Sequence, residues 1–296
     1  MMKKIFTLLA LIISFNVNAQ VSTNSTSPTG IYASAMGNGT TASGNESTAM
    51  GYDTTAGGEA STAMGYSTTA STQASTAMGK NTTASGLNST AMGRGTTASG
   101  TDSTAMGYYT QASGSRSTAM GRSTTATDYS STVIGQFNSS GSSATSANSF
   151  STSAPAFVIG NGTASDAKSD AFKVMFNGDA TVSNDLTVSG DVVISSDARL
   201  KSNIVSLGST LPKLLQIDGK SYEMKGKQKI GVLAQEINEV FPELVSKDDN
   251  EMLAVNYQGL VPVLINALKE QQNEINRLKK QEKRIDRLEK LVANID

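Results

Sequence analysis

The stretch from Ser195 to Asn203, Ser-Ser-Asp-Ala-Arg-Leu-Lys-Ser-Asn, holds the most suggestive reactive side chains of this sequence. A hydroxyl stands at Ser196 and an amine at Lys201, with Asp197 and Arg199 between them. Two readings are open. In the first, Ser196 caps a helix and Asp197 favours its first turn. In the second, the serine and the lysine form a pair that cuts the chain, with the hydroxyl as nucleophile and the amine as its base. The stretch lies at a seam. Upstream the chain is Ser, Thr, Gly and Ala with few charges, and downstream it becomes charged, apolar and helix-forming.

The remaining chemical inventory is narrow. The chain has 296 residues, a net charge of -1, no His and no Cys. That excludes Ser-His-Asp triads, Cys-His pairs, disulfides, thiolate metal sites and nearly all zinc sites. Any catalysis must draw on Ser, Thr, Lys, Tyr or carboxylates, and no cofactor or metal is expected. Without His, clustered acids or a pocket-forming domain, an enzyme acting on other molecules is disfavoured. The chain-cutting pair remains one of the two open readings. The near-neutral charge gives no electrostatic reason to bind nucleic acid. Few charges, few aromatics and 27 Gly argue against one large mixed core.

The first residues have the pattern of a secretory signal peptide over 1–19. Lys3 and Lys4 precede a short apolar run, Ile5 to Phe15, and Val17-Asn18-Ala19 fits a cleavage site before Gln20. The run is too short to span a membrane well, which disfavours an uncleaved anchor. No later segment could span a bilayer as a helix. The sequence therefore predicts an exported protein, secreted or at the cell surface, with 20–32 as a linker.

From 33 to 137 the chain repeats. Ser-Ala-Met-Gly at Ser34 is followed by Ser-Thr-Ala-Met-Gly at Ser47, Ser61, Ser75, Ser89, Ser103 and Ser117, and by Ser-Thr-Val-Ile-Gly at Ser131. The period is 14 residues without slippage. A fixed period means stacked units that bury their faces on one another. Fourteen residues suit one coil of two short strands and two turns. Thr, Ser and Gly disfavour a helix, and the constant Met argues against a disordered linker. Stacking would align Met36 with Met50 and so on to Met120, ending at Ile134. Alternation puts Thr48 and Met50 on one strand face, and Ser47 and Ala49 on the other. Such a coil is thin, so several chains side by side would bury more.

These repeats resemble the head repeats of YadA-like trimeric adhesins, with Met in place of the usual Ile. The resemblance implies a parallel β-roll and a homotrimer. Those adhesins end in a membrane β-barrel, a pattern not seen in this sequence. Variable positions after Ala-Met-Gly fall at one turn of each coil and form a candidate ligand stripe: Tyr52, Tyr66, Arg94, Tyr108 and Arg122, with Lys80 and Tyr109 in the same group. The stripe is either a solvated edge or a surface for a cell-surface or glycan receptor. Thr rows matching ice are disfavoured, because they run Thr-Thr rather than Thr-x-Thr.

A Ser-rich linker follows over 138–155. Then 156–195 alternates apolar and polar residues, with Asn-Gly at Asn161 and Asn177, and reads as a β-rich neck from Phe157 to Ile194. It is similar to the stalks of fibre proteins that precede a C-terminal chaperone. Beyond the seam, Ile230 to Val245 reads as a short strand into a helix ending near Pro242. From Tyr257 a long helix is predicted, a coiled coil over about 257–295. Its stripe is Leu264, Leu268, Ile275, Leu278, Ile285, Leu288, Val292 and Ile295, with a phase shift between Leu278 and Leu288. A polar helix this long calls for partner helices.

Three blocks of this region, Ser-Asp-Ala-Arg-Leu-Lys-Ser-Asn-Ile from Ser196, Ile230 to Val245, and Val255 to Gln271, resemble in order and spacing the intramolecular chaperone domain of phage tailspikes and endosialidases. That domain is classed as serine peptidase family seventy-four. The resemblance implies a trimeric folding aid over 196–296 that cuts itself off after assembly. It assigns Ser196 as nucleophile attacking the Ser195 carbonyl, Lys201 as general base, the Ser195–Ser196 bond as the one cut, and supporting roles to Asp197 and Arg199. The expected architecture is a mainly β region, a parallel roll with a β-rich neck, followed by an α+β domain ending in a long helix. The expected function is that of an adhesin-like fibre. The alternative is a purely structural fibre with an uncleaved C-terminal clamp.

Overall fold

A computed structural model describes residues 25–248 and 251–293, so the signal-peptide reading and Ile295 lie outside the described residues. The chain divides into two units, Met1–Asp191 and Val192–Asp296.

The first unit is the expected parallel β-solenoid. Each 14-residue coil contributes a five-residue strand, such as Thr48–Tyr52, and a two-residue strand, such as Thr55–Ala56. Like pairs with like: Met50 stands opposite Met36 and Met64, and Ala56 opposite Ala42 and Ala70. The long strands make one sheet and the short strands another. Backbone amides bridge successive coils at each step, as in Thr48 N–H to the Ser61 carbonyl at 2.9 Å and Thr55 N–H to the Thr68 carbonyl at 2.8 Å.

The interior is built of alanine. Ala49 and Ala56 are fully buried, as are their equivalents from Ala42 to Ala126 and Val133 at the last coil, with the Ser47 and Thr54 positions beside them. Ser47 Oγ closes its own turn by donating to the Gly44 carbonyl at 2.6 Å. The space between the sheets is too narrow for methionine, so the Met row faces outward, and Met50 remains 38% exposed. Glycine recurs where the coils come closest. A Cβ on Gly79 would lie 2.0 Å from the Gly93 oxygen, and its φ is +119°. The corners are made mostly without glycine: Glu46, Asp53, Ala60 and Ser67 take a positive φ, and only Gly39 and Gly95 are glycine among the equivalent described positions.

The Ser-rich run read as a linker is a cap. Asn138 is buried, and its side-chain oxygen accepts from Thr125 N–H while its amide donates to the Thr125 and Ser140 carbonyls. It occupies the hydrogen-bonding edge that a further coil would have filled. Buried Asp128 accepts from Thr145 and Ser146 N–H at 2.6 Å each, fastening the same segment. Pro155–Asn161 then rejoins the large sheet in parallel, pairing Ile159 with Ile134. Asp170–Met175 and Ala180–Val182 follow antiparallel. The expected Asn177-Gly178 turn joins these two, whereas Asn161-Gly162 opens a longer connection. Strand structure stops at Val182, short of the Ile194 expected from alternation.

The second unit is small. It holds helix α1 (Leu211–Leu214), a hairpin of Lys220–Met224 and Lys227–Gly231, helix α2 (Ala234–Val240), a hairpin of Val245–Lys247 and Leu253–Val255, and helix α3 (Leu260–Val292). The reading of a strand into a helix ending at Pro242 is met by the second strand of the first hairpin and by α2. Its core gathers Ile237, Phe241 and Val263 with Leu214, Val232 and Val255. The α3 stripe is uncovered in the single chain: Leu264, Leu268, Leu278, Ile285 and Leu288 are all exposed.

Gly79→Ala places a methyl against the next coil and a side chain at a disfavoured φ, so the unit should lose about 2 kcal/mol or more. Thermal unfolding followed by circular dichroism measures this, and an unchanged midpoint would contradict the close approach of the coils.

Candidate active site

The Ser196–Lys201 stretch lies in the second unit, in chain without a regular partner element. Asp197 begins a single 3-10 turn, Ala198–Leu200, because its carboxylate accepts from Arg199 N–H at 2.8 Å. Arg199 folds back onto the same carboxylate through Nε and Nη2, the latter at 2.7 Å. This pairing holds the Asp197 carboxyl below its ordinary pKa, chiefly through the Arg199 side chain and then its backbone N–H. Lys201 N–H closes the turn on the Ala198 carbonyl, and Lys201 itself is extended.

The turn reverses the chain and brings Lys201 Nζ to Ser196 Oγ at 2.7 Å. The cap here is Asp197, and the Ser196 hydroxyl is bonded to the lysine instead of to the turn. All of these side chains are exposed. Asp197 and Arg199 thus shape the loop, while Ser196 and Lys201 meet across it. The arrangement can do one thing chemically: a neutral amine at this distance can take the hydroxyl proton.

Past the loop, a contact that no sequence signal announced ties the chain down. Glu270, on α3, accepts from Ser209 Oγ at 2.7 Å and from Thr210 N–H at 2.6 Å. Thr210 is buried, and its hydroxyl donates to the Val263 carbonyl. These bonds, that of Thr210 N–H first, hold the Glu270 carboxyl below its ordinary pKa.

The second group of candidate residues lies on the solenoid. Tyr52, Tyr66, Lys80, Arg94, Tyr108 and Arg122 end successive long strands and stand in register. They form one ladder. Tyr52 and Tyr66 stack with centroids 5.1 Å apart and planes 7° from parallel. Lys80 lies over the Tyr66 ring at 5.2 Å, Arg94 over Tyr108 at 5.4 Å, and Arg122 over Phe137 at 5.2 Å. Each such contact contributes about 0.5–1 kcal/mol at an exposed site. Tyr109 sits edge-on to Tyr108. Arg116 lies at the opposite end of its strand, bonded to the Tyr129 hydroxyl and paired with Asp102.

Among the described residues no helix is long and apolar enough to cross a membrane. Comparison with known families finds two matches. Residues 29–54, 56–82, 84–110 and 112–138 match the YadA head domain repeat. Residues 196–246 match the chaperone of endosialidase, a match that begins at Ser196. No curated protein matches the chain.

For Glu270 the folded-state pKa is depressed, so its contribution is present above the ordinary carboxylate value of about 4.3 and is lost as pH falls through the lower folded value. Glu270→Gln should therefore raise amide exchange at Thr210 and Leu211 several-fold at neutral pH. In the wild-type chain the same rise should appear only under acid. Equal protection in the variant would remove Glu270 as the fastening.

Proposed function

Because the chain joins YadA head repeats at 29–138 to a chaperone of endosialidase domain at 196–246, we propose that it is an exported homotrimeric fibre whose C-terminal domain templates assembly and then releases itself. The observation that carries the release is the 2.7 Å bond between Lys201 Nζ and Ser196 Oγ. In the step proposed, Lys201 takes the Ser196 hydroxyl proton and Oγ attacks the Ser195 carbonyl carbon. The Ser195–Ser196 C–N bond breaks as the amine of Ser196 is protonated. The Ser195 acyl group is left as an ester on Ser196 Oγ, and water hydrolyses it. The fibre ends in a Ser195 carboxylate and the chaperone begins with a free Ser196 amine.

An ammonium donates and cannot accept, so this base must be neutral. The loop is exposed in the single chain. Burial disfavours a charged lysine, so partner chains closing over the loop would turn the donor into an acceptor and make cutting report assembly. The uncovered α3 stripe and the outward Met row support association, since both leave apolar side chains facing water. Three α3 helices in register would hold three slow-pairing β regions at high effective concentration. The fibre's work would be adhesion, with the head as the contact surface. Export rests on the leader pattern of 1–19.

The intact mass of the purified full chain tests the release. Wild type should appear as two pieces divided between Ser195 and Ser196. Ser196→Ala should stay whole, and Lys201→Arg, which cannot give up its proton, should cut at least about 100-fold more slowly. A wild-type trimer that remains whole would make the domain a permanent clamp.

A further inference from the structure

We propose that the ladder of Tyr52, Tyr66, Lys80, Arg94, Tyr108 and Arg122 binds a linear acidic polysaccharide, aligned along the solenoid axis with its carboxylates or sulfates on the rungs. This goes beyond self-release and rests on the reading of the head as the contact surface.

Geometry sets the kind of ligand. The six residues occupy consecutive coils in strict register. Rungs of a β-ladder are about 4.8 Å apart, close to the length of one sugar unit in an extended chain. A ligand that meets them all must be long and itself repeating. A compact ligand would use one or two rungs and leave the rest unused.

Charge sets its sign. The edge carrying the ladder holds Lys80, Arg94 and Arg122 against Asp53, whereas the other end of the long strands holds Glu46, Glu59 and Asp102 against Arg116. A chain of near-zero net charge thus separates its charges across one coil. Lys80, Arg94 and Arg122 are exposed and, among the described residues, make no ion pair with a carboxylate, so their N–H groups are open to an anion.

Ring orientation separates polysaccharide from nucleic acid. Nucleobases are held by stacking on free aromatic faces. Here the faces are turned along the ladder, Tyr52 on Tyr66, Lys80 on Tyr66 and Arg94 on Tyr108. The partly exposed tyrosines bring phenol hydroxyls to the same edge as the cationic N–H groups. These suit charge-assisted hydrogen bonds to carboxylate or sulfate, and they give a neutral sugar or a base little to stack on.

The test immobilises polygalacturonate, heparin, dextran and single-stranded poly-dT, and measures binding of the full chain at physiological salt. Binding to polygalacturonate or heparin, and neither to dextran nor to poly-dT, is expected. Polygalacturonate alone would mark carboxylates as the recognised group, heparin alone sulfates. The triple variant Lys80→Ala, Arg94→Ala, Arg122→Ala should lose at least tenfold in affinity. Tyr52→Phe, Tyr66→Phe, Tyr108→Phe keeps the rings and should lose several-fold. Should the triple variant not fold by circular dichroism, Arg94→Gln alone must still weaken binding several-fold. No binding to either acidic polymer, equal binding to dextran or poly-dT, or an undiminished cation variant would overturn the proposal. Adhesion to whole cells is measured alongside. A chain that adheres to cells without binding either polymer removes this ligand alone, and one that adheres to nothing removes the adhesive reading too.

Discussion

The first unit depends on one constraint: parallel backbone pairing, coil on coil, around a narrow interior filled mainly by alanine. Each coil offers the next a full set of N–H and C=O groups, and satisfying them holds the register at 14 residues. With the register held, every position repeats its surroundings. Ala49 is buried because Ala35 and Ala63 lie above and below it in the same narrow space. Gly79 has no Cβ because the Gly93 carbonyl fills that place. The Tyr and Arg side chains become a ladder for the same reason, since strands in register put their ends in line.

A stack of this kind has an open end, and an open end is an edge ready to pair with something else. The serines after Gln136 meet that need with side chains. Asn138 supplies through its amide the donor and acceptor that a further backbone would have offered, and Asp128 holds the covering loop from beneath. The low complexity of 138–153 hides this, because its small side chains let backbone and hydroxyls reach the last coil closely.

The second unit follows a different logic. Its buried core is small, and its longest helix keeps an apolar stripe in water. Most of a helix's stability in a folded protein comes from packing its apolar face, and this 33-residue helix covers little of its own within the chain. The loop at Ser196 needs no such help to form. Asp197 and Arg199 fold it through contacts two residues apart, which is why the meeting of Ser196 with Lys201 is present in a single chain.

Much of this was legible in the residues. The repeat specified the solenoid, because an unbroken period admits only stacked units, and the Met spacing specified which residues align. The long helix followed from its apolar spacing, and the Ser-Asp-x-Arg-Leu-Lys pattern singled out the loop. Periodicity and local turn chemistry are properties of neighbouring residues, so the sequence by itself determined them. Other features came only with the tertiary structure. That alanine rather than methionine fills the interior depended on the distance between the two sheets. The capping role of Asn138, the hold of Glu270 on Thr210 across 60 residues, and the stopping of strand structure at Val182 depended on which unpaired groups the folded chain left within reach. Such contacts join residues far apart in the chain, and nothing in the local pattern of either partner encodes the meeting.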